Sequence, residues 1–174
     1  MPVTLITHKP ANTYSGEVLV CYIFSNSRPP KGIAGYVDWI MDGQISDLMI
    51  KNKVKGEFCE SLLIAAGNKI KARFILIIGA GSPESLKPKM VKKIGLYTTN
   101  VLNGLKVSHF GLYPHDLFLS HLDVFDTLDE LFAGIKEGAR ENNTQVSILS
   151  NSQGQEDIIE KWIKDKTFVL KPKT

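Results

Sequence analysis

Four stretches of the chain carry residue types that could do chemistry. The first is Gly79-Ala80-Gly81-Ser82, which closes the apolar run of "RFILIIGAGSPESLKPKMVKKIG". Backbone N–H groups in a glycine-rich turn ahead of a helix can hold a phosphate. The third glycine of a dinucleotide fingerprint is missing, as is the Gly-Lys-Ser/Thr of a P-loop. Pro83 also removes one donor. Two readings follow. Gly79 and Gly81 supply backbone angles while Ser82 or Ser85 caps a turn, or Gly79, Ala80, Gly81 and Ser82 bind a nucleotide-type ligand.

The second stretch is "YPHDLFLSHLD", with His115, Asp116, His121 and Asp123. The two histidines are six apart, which matches neither a helical i, i+4 pair nor a standard zinc spacing. We expect a solvated loop histidine and a helix-capping aspartate, and no metal. The third group is Cys21 and Cys59. A nucleophilic thiol needs a base and an electropositive, partly open setting. Both sit in apolar, strand-like sequence and read as small buried hydrophobes. No Gly-x-Ser-x-Gly elbow is present. We expect no catalytic residue. The fourth group is the lysines: Lys51, Lys53 and Lys55; Lys69, Lys71 and Arg73; and Lys87, Lys89, Lys92 and Lys93. Converging on one face they would contact nucleic-acid phosphates with strong salt dependence. The plainer expectation is solvated helix ends and turns.

These residues must be positioned by regular elements. "EVLVCYIFS" (17–25) is almost wholly apolar and rich in β-formers, the pattern of a strand buried on both faces. "GYVDWIMDGQISDLMIKNK" places Val37, Ile40, Met41, Ile45, Leu48 and Met49 near helical spacing. It predicts one amphipathic helix with Gly43 inside it. "ESLLIAAG" and "RFILIIG" predict two neighbouring strands or a hairpin. Pro88 opens a helix that runs to Asn103, with Gly104 as its cap. "KVSHFGLY" predicts a strand, and Asp123 or Asp126 caps a helix bearing Leu128, Leu131, Phe132, Ile135 and Ala139. Asn142 or Asn143 would close that helix. "QVSILS", a helix around Ile158, Ile159, Trp162 and Ile163, and an edge strand in "TFVLKPKT" complete the series. Alternating strands and helices predict a three-layer α/β domain with a mixed sheet flanked by helices.

Length and composition set the frame. The 174 residues suit one domain over 1–174, with a core of about 15–150 and a C-terminal helix and tail over 151–174. The net charge of +3 neither demands nor excludes a nucleic-acid partner. The opening "MPVTLITHKP" carries no secretory pattern, and no stretch approaches a membrane span. A cytoplasmic location is expected.

The order of these segments resembles the N-terminal domain of the leucine (cytosol) aminopeptidase family. "YVDWIMDGQISDLMI", "KVKGEFCESLLIAAG", "RFILIIGAGSPESLKP" and "KVSHFGLY" follow one another as in that domain, with Asp38, Gly43, Gly56 and Gly79-Ala80-Gly81 at matching places. The resemblance implies a macro-domain-like fold, and with it an ADP-ribose-type ligand as one alternative. It also implies a domain that packs in an oligomer beside a catalytic domain. The family's chemistry lies in that other domain, with two metals and an Asn-Thr-Asp-Ala-Glu-Gly-Arg signature. The signature is absent here. The resemblance therefore implies a non-catalytic domain without cofactor, acting by protein association or self-assembly. Its partner would be another copy or an aminopeptidase subunit. "EDIIEKWIKDKTFVL", with Trp162 and Phe168, would cover a surface or serve as a docking face.

Overall fold

The computed structural model describes residues 3–6, 11–139 and 144–166. They form a six-stranded sheet: β1 (Val3–Ile6), β2 (Val18–Phe24), β3 (Ser61–Ala65), β4 (Phe74–Gly81), β5 (His109–Leu112) and β6 (Gln145–Leu149). The spatial order is β1-β6-β5-β2-β4-β3. Neighbours pair in parallel except β3, which runs antiparallel to β4 at one edge. The sheet is thus mixed, as the alternating pattern predicted. Strand β1 was not anticipated.

Every residue of β2 is buried, because both faces of the strand are covered. Its alternate side chains feed two cores. Val18, Val20, Tyr22 and Phe24 join one, with the helices α3 (Pro88–Gly104), α4 (Val124–Gly138) and α5 (Gln153–Lys164). Leu19, Cys21 and Ile23 join the other, with α1 (Gly32–Ile40) and α2 (Gln44–Ile50). Trp162 is buried in the first core against Phe132, and its indole N–H donates to Asp129 at 2.7 Å. Ile159 and Ile163 are buried in the same core. Phe168, the tail strand and Asn142 and Asn143 lie outside the described residues.

The single helix expected over 35–53 is two. Asp42 and Gly43 take φ of 56° and 79°, a left-handed turn that no continuous helix accommodates. The glycine provides no cap for α2, so Asp38 provides one from the preceding helix. Its carboxylate accepts from Ser46 N at 2.9 Å and Ser46 Oγ at 2.5 Å. The apolar spacing survives the break, since Val37, Ile45 and Met49 all reach the second core. At the end of α3, Gly104 is the last helical residue rather than the cap, and Lys106 takes the positive φ of 58°.

Candidate functional site

In an open α/β sheet the crevice lies beyond the carboxyl ends of neighbouring strands whose following helices go to opposite faces. Here β2 meets that condition both with β5 and with β4, its two parallel neighbours. After β2 the chain enters α1 in the second core. After β5 it forms a 3-10 turn (Pro114–Leu119) and then α4 in the first core. That turn reaches across to the start of α1. Asp116 is buried, and its Oδ1 accepts from Ile33 N at 2.8 Å at the start of α1. A Cβ on Gly32, whose φ is 60°, would collide with that same oxygen. The carboxylate thus sits at the helix N-terminus, where an anionic ligand would otherwise be held. Burial pushes the Asp116 carboxyl up to about 7, against the pull of the amides of Ile33, Ala34 and Tyr22.

His115 differs from the solvated loop residue expected. It is buried, stacks edge-on against Phe118 at 5.0 Å, and burial lowers it to about 4. His121 is exposed, with Nδ1 3.2 Å from the Pro83 carbonyl. Asp123 caps α4 as expected, accepting from Phe125 N and Asp126 N. Among the described residues, no three His, Cys, Asp or Glu side chains are grouped to hold a metal.

Gly79-Ala80-Gly81 is not a loop but the end of β4, and α3 begins only at Pro88, after a 3-10 turn over Pro83–Ser85. Gly79 pairs with Ile23 and Gly81 with Phe24, so Ala80 is bulged and buried. Gly79 N donates to the Glu60 carbonyl at 2.8 Å and Gly81 N to the Gly56 carbonyl at 2.9 Å. A Cβ at Gly79 would overlap the Glu57 carbonyl. Gly81 has a φ of 76°. These glycines allow the segment 55–59 to cross the strand end closely. Ser82 is half-buried, and its Oγ donates to Glu84 at 2.5 Å rather than capping the turn.

The crossing segment holds a second anion cradle. The amides of Lys55, Gly56 and Glu57 converge on Glu60 Oε2 at 2.8, 2.7 and 3.0 Å. Gly56 has φ 79° and lies against the backbone of Phe24. Two backbone cradles among the described residues, at the start of α1 and over 55–57, are therefore occupied by the protein's own carboxyl groups. Sequence reasoning missed Glu60 and the role of Asp116, because the amides they bind belong to a turn and to a distant helix. The spacing of Glu60 three residues after Glu57 was the only local signal.

Cys21 is buried in β2, and burial pushes its thiol well up. Cys59 is not in a strand: it occupies a turn with φ 57° and is half-buried. Burial raises its thiol, with Lys93 opposing. Lys51, Lys53 and Lys55 follow α2 on one side of the sheet, whereas Lys87, Lys89, Lys92 and Lys93 lead into or lie on α3 on the other. Lys51 pairs with Asp47 at 2.7 Å and Lys92 with Glu137 at 3.0 Å.

The layering defines a macrodomain-like α/β domain. A Trypanosoma brucei macrodomain in complex with ADP-ribose superposes with a TM-score of 0.72 at 12% identity, over 91% of this chain and 68% of that one. A tomato leucine aminopeptidase superposes with a TM-score of 0.67 at 14% identity, over 94% of this chain and 35% of that one. Such identities establish the fold alone. The sequence establishes the family: the model for the N-terminal domain of the cytosol aminopeptidase family matches residues 16–144, and the chain belongs to that family. A probable cytosol aminopeptidase of Sulfurihydrogenibium sp. (strain YO3AOP1) is 26% identical over 139 residues, 79% of this chain. The chain spans only 26% of that relative's length.

The residues at the family-matching places are accounted for by conformation. Asp38 caps α2, Gly43 makes the helix break, and Gly56 and Gly79 let one segment cross another. No helix among the described residues is long and apolar enough to cross a membrane.

Proposed function

We propose that this domain is a non-catalytic association module, acting through contact with an aminopeptidase-type partner subunit or with another copy of itself. The observation that carries the reading is the outer surface of the α1–α2 layer. Trp39 is 75% exposed and Ile50 78% exposed, and Tyr36 stacks beside Trp39. Next to Ile50 is a cavity of about 290 Å³ lined by Arg28, Pro29, Ser46 and Met49. Large apolar side chains left exposed on a surface mark contact sites. The test is co-purification with tagged protein from the source cell, in parent and in the Trp39→Ser, Ile50→Ser double variant. Capture of an aminopeptidase subunit that the double variant loses supports the reading. Equal capture by both sinks it. Purified protein is expected to show no aminopeptidase turnover with added zinc or manganese.

The second reading is a nucleotide or ADP-ribose-type ligand near Gly79, Ala80, Gly81 and Ser82. The likeness to a macrodomain bound to ADP-ribose favours it. The positions of Glu60, in the segment bonded to Gly79 and Gly81, and of Glu84, bonded to Ser82, oppose an anion there. Nucleic acid at Lys51, Lys53, Lys55, Lys87, Lys89, Lys92 and Lys93 is the weaker alternative. Binding that falls steeply with salt would support it.

A further inference from the structure

Strand β3 forms one edge of the sheet, paired only with β4 among the described residues. Its register runs from Ser61 opposite Ile78 to Ala65 opposite Phe74. Just beyond the two ends, Gly79 N donates to the Glu60 carbonyl at 2.8 Å and Ala66 N to the Arg73 carbonyl at 3.1 Å. Opposed residues in an antiparallel ladder alternate between hydrogen-bonded and non-bonded pairs. Positions 60, 62, 64 and 66 therefore point their peptide groups at β4. Ser61, Leu63 and Ala65 point theirs away from the sheet. No amide of these three donates to another described residue.

Edges of this kind are normally protected by lysines, prolines, bulges or a covering segment. The stretch Ser61-Leu62-Leu63-Ile64-Ala65-Ala66 has no charge and no proline. The strand is regular along its whole length, and Leu63 is 36% exposed. The three outward residues are also symmetric about the middle one. A two-fold axis at Leu63 would set Leu63 opposite the partner's Leu63, and Ser61 opposite the partner's Ala65. All outward N–H and C=O groups would then be paired, two bonds to each of three pairs. This contact is isologous, so it closes at two copies and leaves no growing end.

We propose that β3 is a self-pairing edge: two copies of this chain join β3 to β3 antiparallel about Leu63, making one continuous twelve-stranded sheet. The proposal deepens the association reading above and rests on it, naming a second copy as the partner at this edge. Leu63, on the α3 side of the sheet with Ser61, would meet its own equivalent. Leu62 and Ile64, on the α1–α2 side, would oppose each other.

The test is sedimentation equilibrium of the full chain, parent and variants, with far-UV circular dichroism as the check of folding. The parent is expected to be a dimer. Ala65→Pro removes an amide that makes no bond within one copy, and a proline is tolerated where an edge N–H faces outward. It and Leu63→Lys are expected to be folded monomers. In a background of Cys21→Ala and Cys59→Ser, Leu63→Cys is expected to cross-link two copies under mild oxidation, whereas Ser61→Cys alone does not. A parent that is monomeric at all concentrations overturns the proposal. So does a dimer that persists in both edge variants. If that dimer dissociates only with Trp39→Ser and Ile50→Ser, the association reading stands and the edge assignment falls.

Discussion

Asp116 and His115 are consecutive, both buried, and titrate in opposite senses. Asp116 keeps its proton in the folded chain up to about pH 7, whereas an unfolded aspartate releases it near ~4. Its contribution to stability is full below about pH 4 and lost as pH rises through about 7. His115 takes up a proton in the folded chain only near pH 4, and an unfolded histidine near ~6.5. Its contribution is full above about pH 6.5 and lost as pH falls through about 4. The two slopes oppose each other across that window. Asp116→Asn keeps an oxygen to accept from Ile33 and removes the acid. Its melting temperature is expected to rise with pH between 4 and 6.5 more steeply than that of the parent. Parallel profiles would show that Asp116 is already ionised in the folded chain.

At the scale of elements, α3 and α4 pack so closely that backbone meets backbone. A Cβ at Gly134 would overlap the Lys92 carbonyl, and one at Gly95 the Leu131 carbonyl. Side chains bridge the same contact. Thr99 Oγ1 lies 3.5 Å from the Ile135 carbonyl, and Asn103 Nδ2 donates to the Gly138 carbonyl at 2.9 Å. Alanine is ordinarily the better helix former. Here it must force the helices apart, and overpacking of this kind costs about 1–3 kcal/mol. Gly134→Ala is expected to lower the unfolding free energy by that amount, read as a lower denaturant midpoint at unchanged slope. Gly154→Ala, in α5 with open space where the methyl would go, is expected to leave it unchanged or raise it. Equal effects at the two sites would mean that the α3–α4 contact is looser than described.

For the whole molecule, the question is whether a macrodomain-like crevice is still a ligand site. Two backbone cradles near the strand ends hold Asp116 and Glu60. An incoming diphosphate must displace one of these carboxyl groups from the amides that hold it. Millimolar ADP-ribose is expected to produce no rise in melting temperature, because only a ligand that binds the folded chain stabilises it. A clear rise would restore the nucleotide reading and place the ligand outside these two cradles. With those cradles filled from within, the association proposals fall on the exposed face of α1–α2 and on the β3 edge, which is paired only with β4 among the described residues.

The local sequence determined most of the elements. The unbroken apolar run at 18–24 marked a strand covered on both faces, and Asp123 marked the start of α4, because these signals act within a few residues. The order of the segments was likewise enough to indicate the aminopeptidase N-terminal domain. Only the tertiary structure decided what the chemistry-bearing residues do. Gly79 and Gly81 read equally well as a phosphate loop or as a turn until Gly56 and Glu60 were seen against them, some twenty residues earlier in the chain. Asp116 caps a helix that begins 84 residues before it, at Gly32, a contact that no local pattern encodes. The outward direction of Ser61, Leu63 and Ala65 follows from the register with β4. Register is fixed by which side chains both cores accept, not by the strand's own sequence.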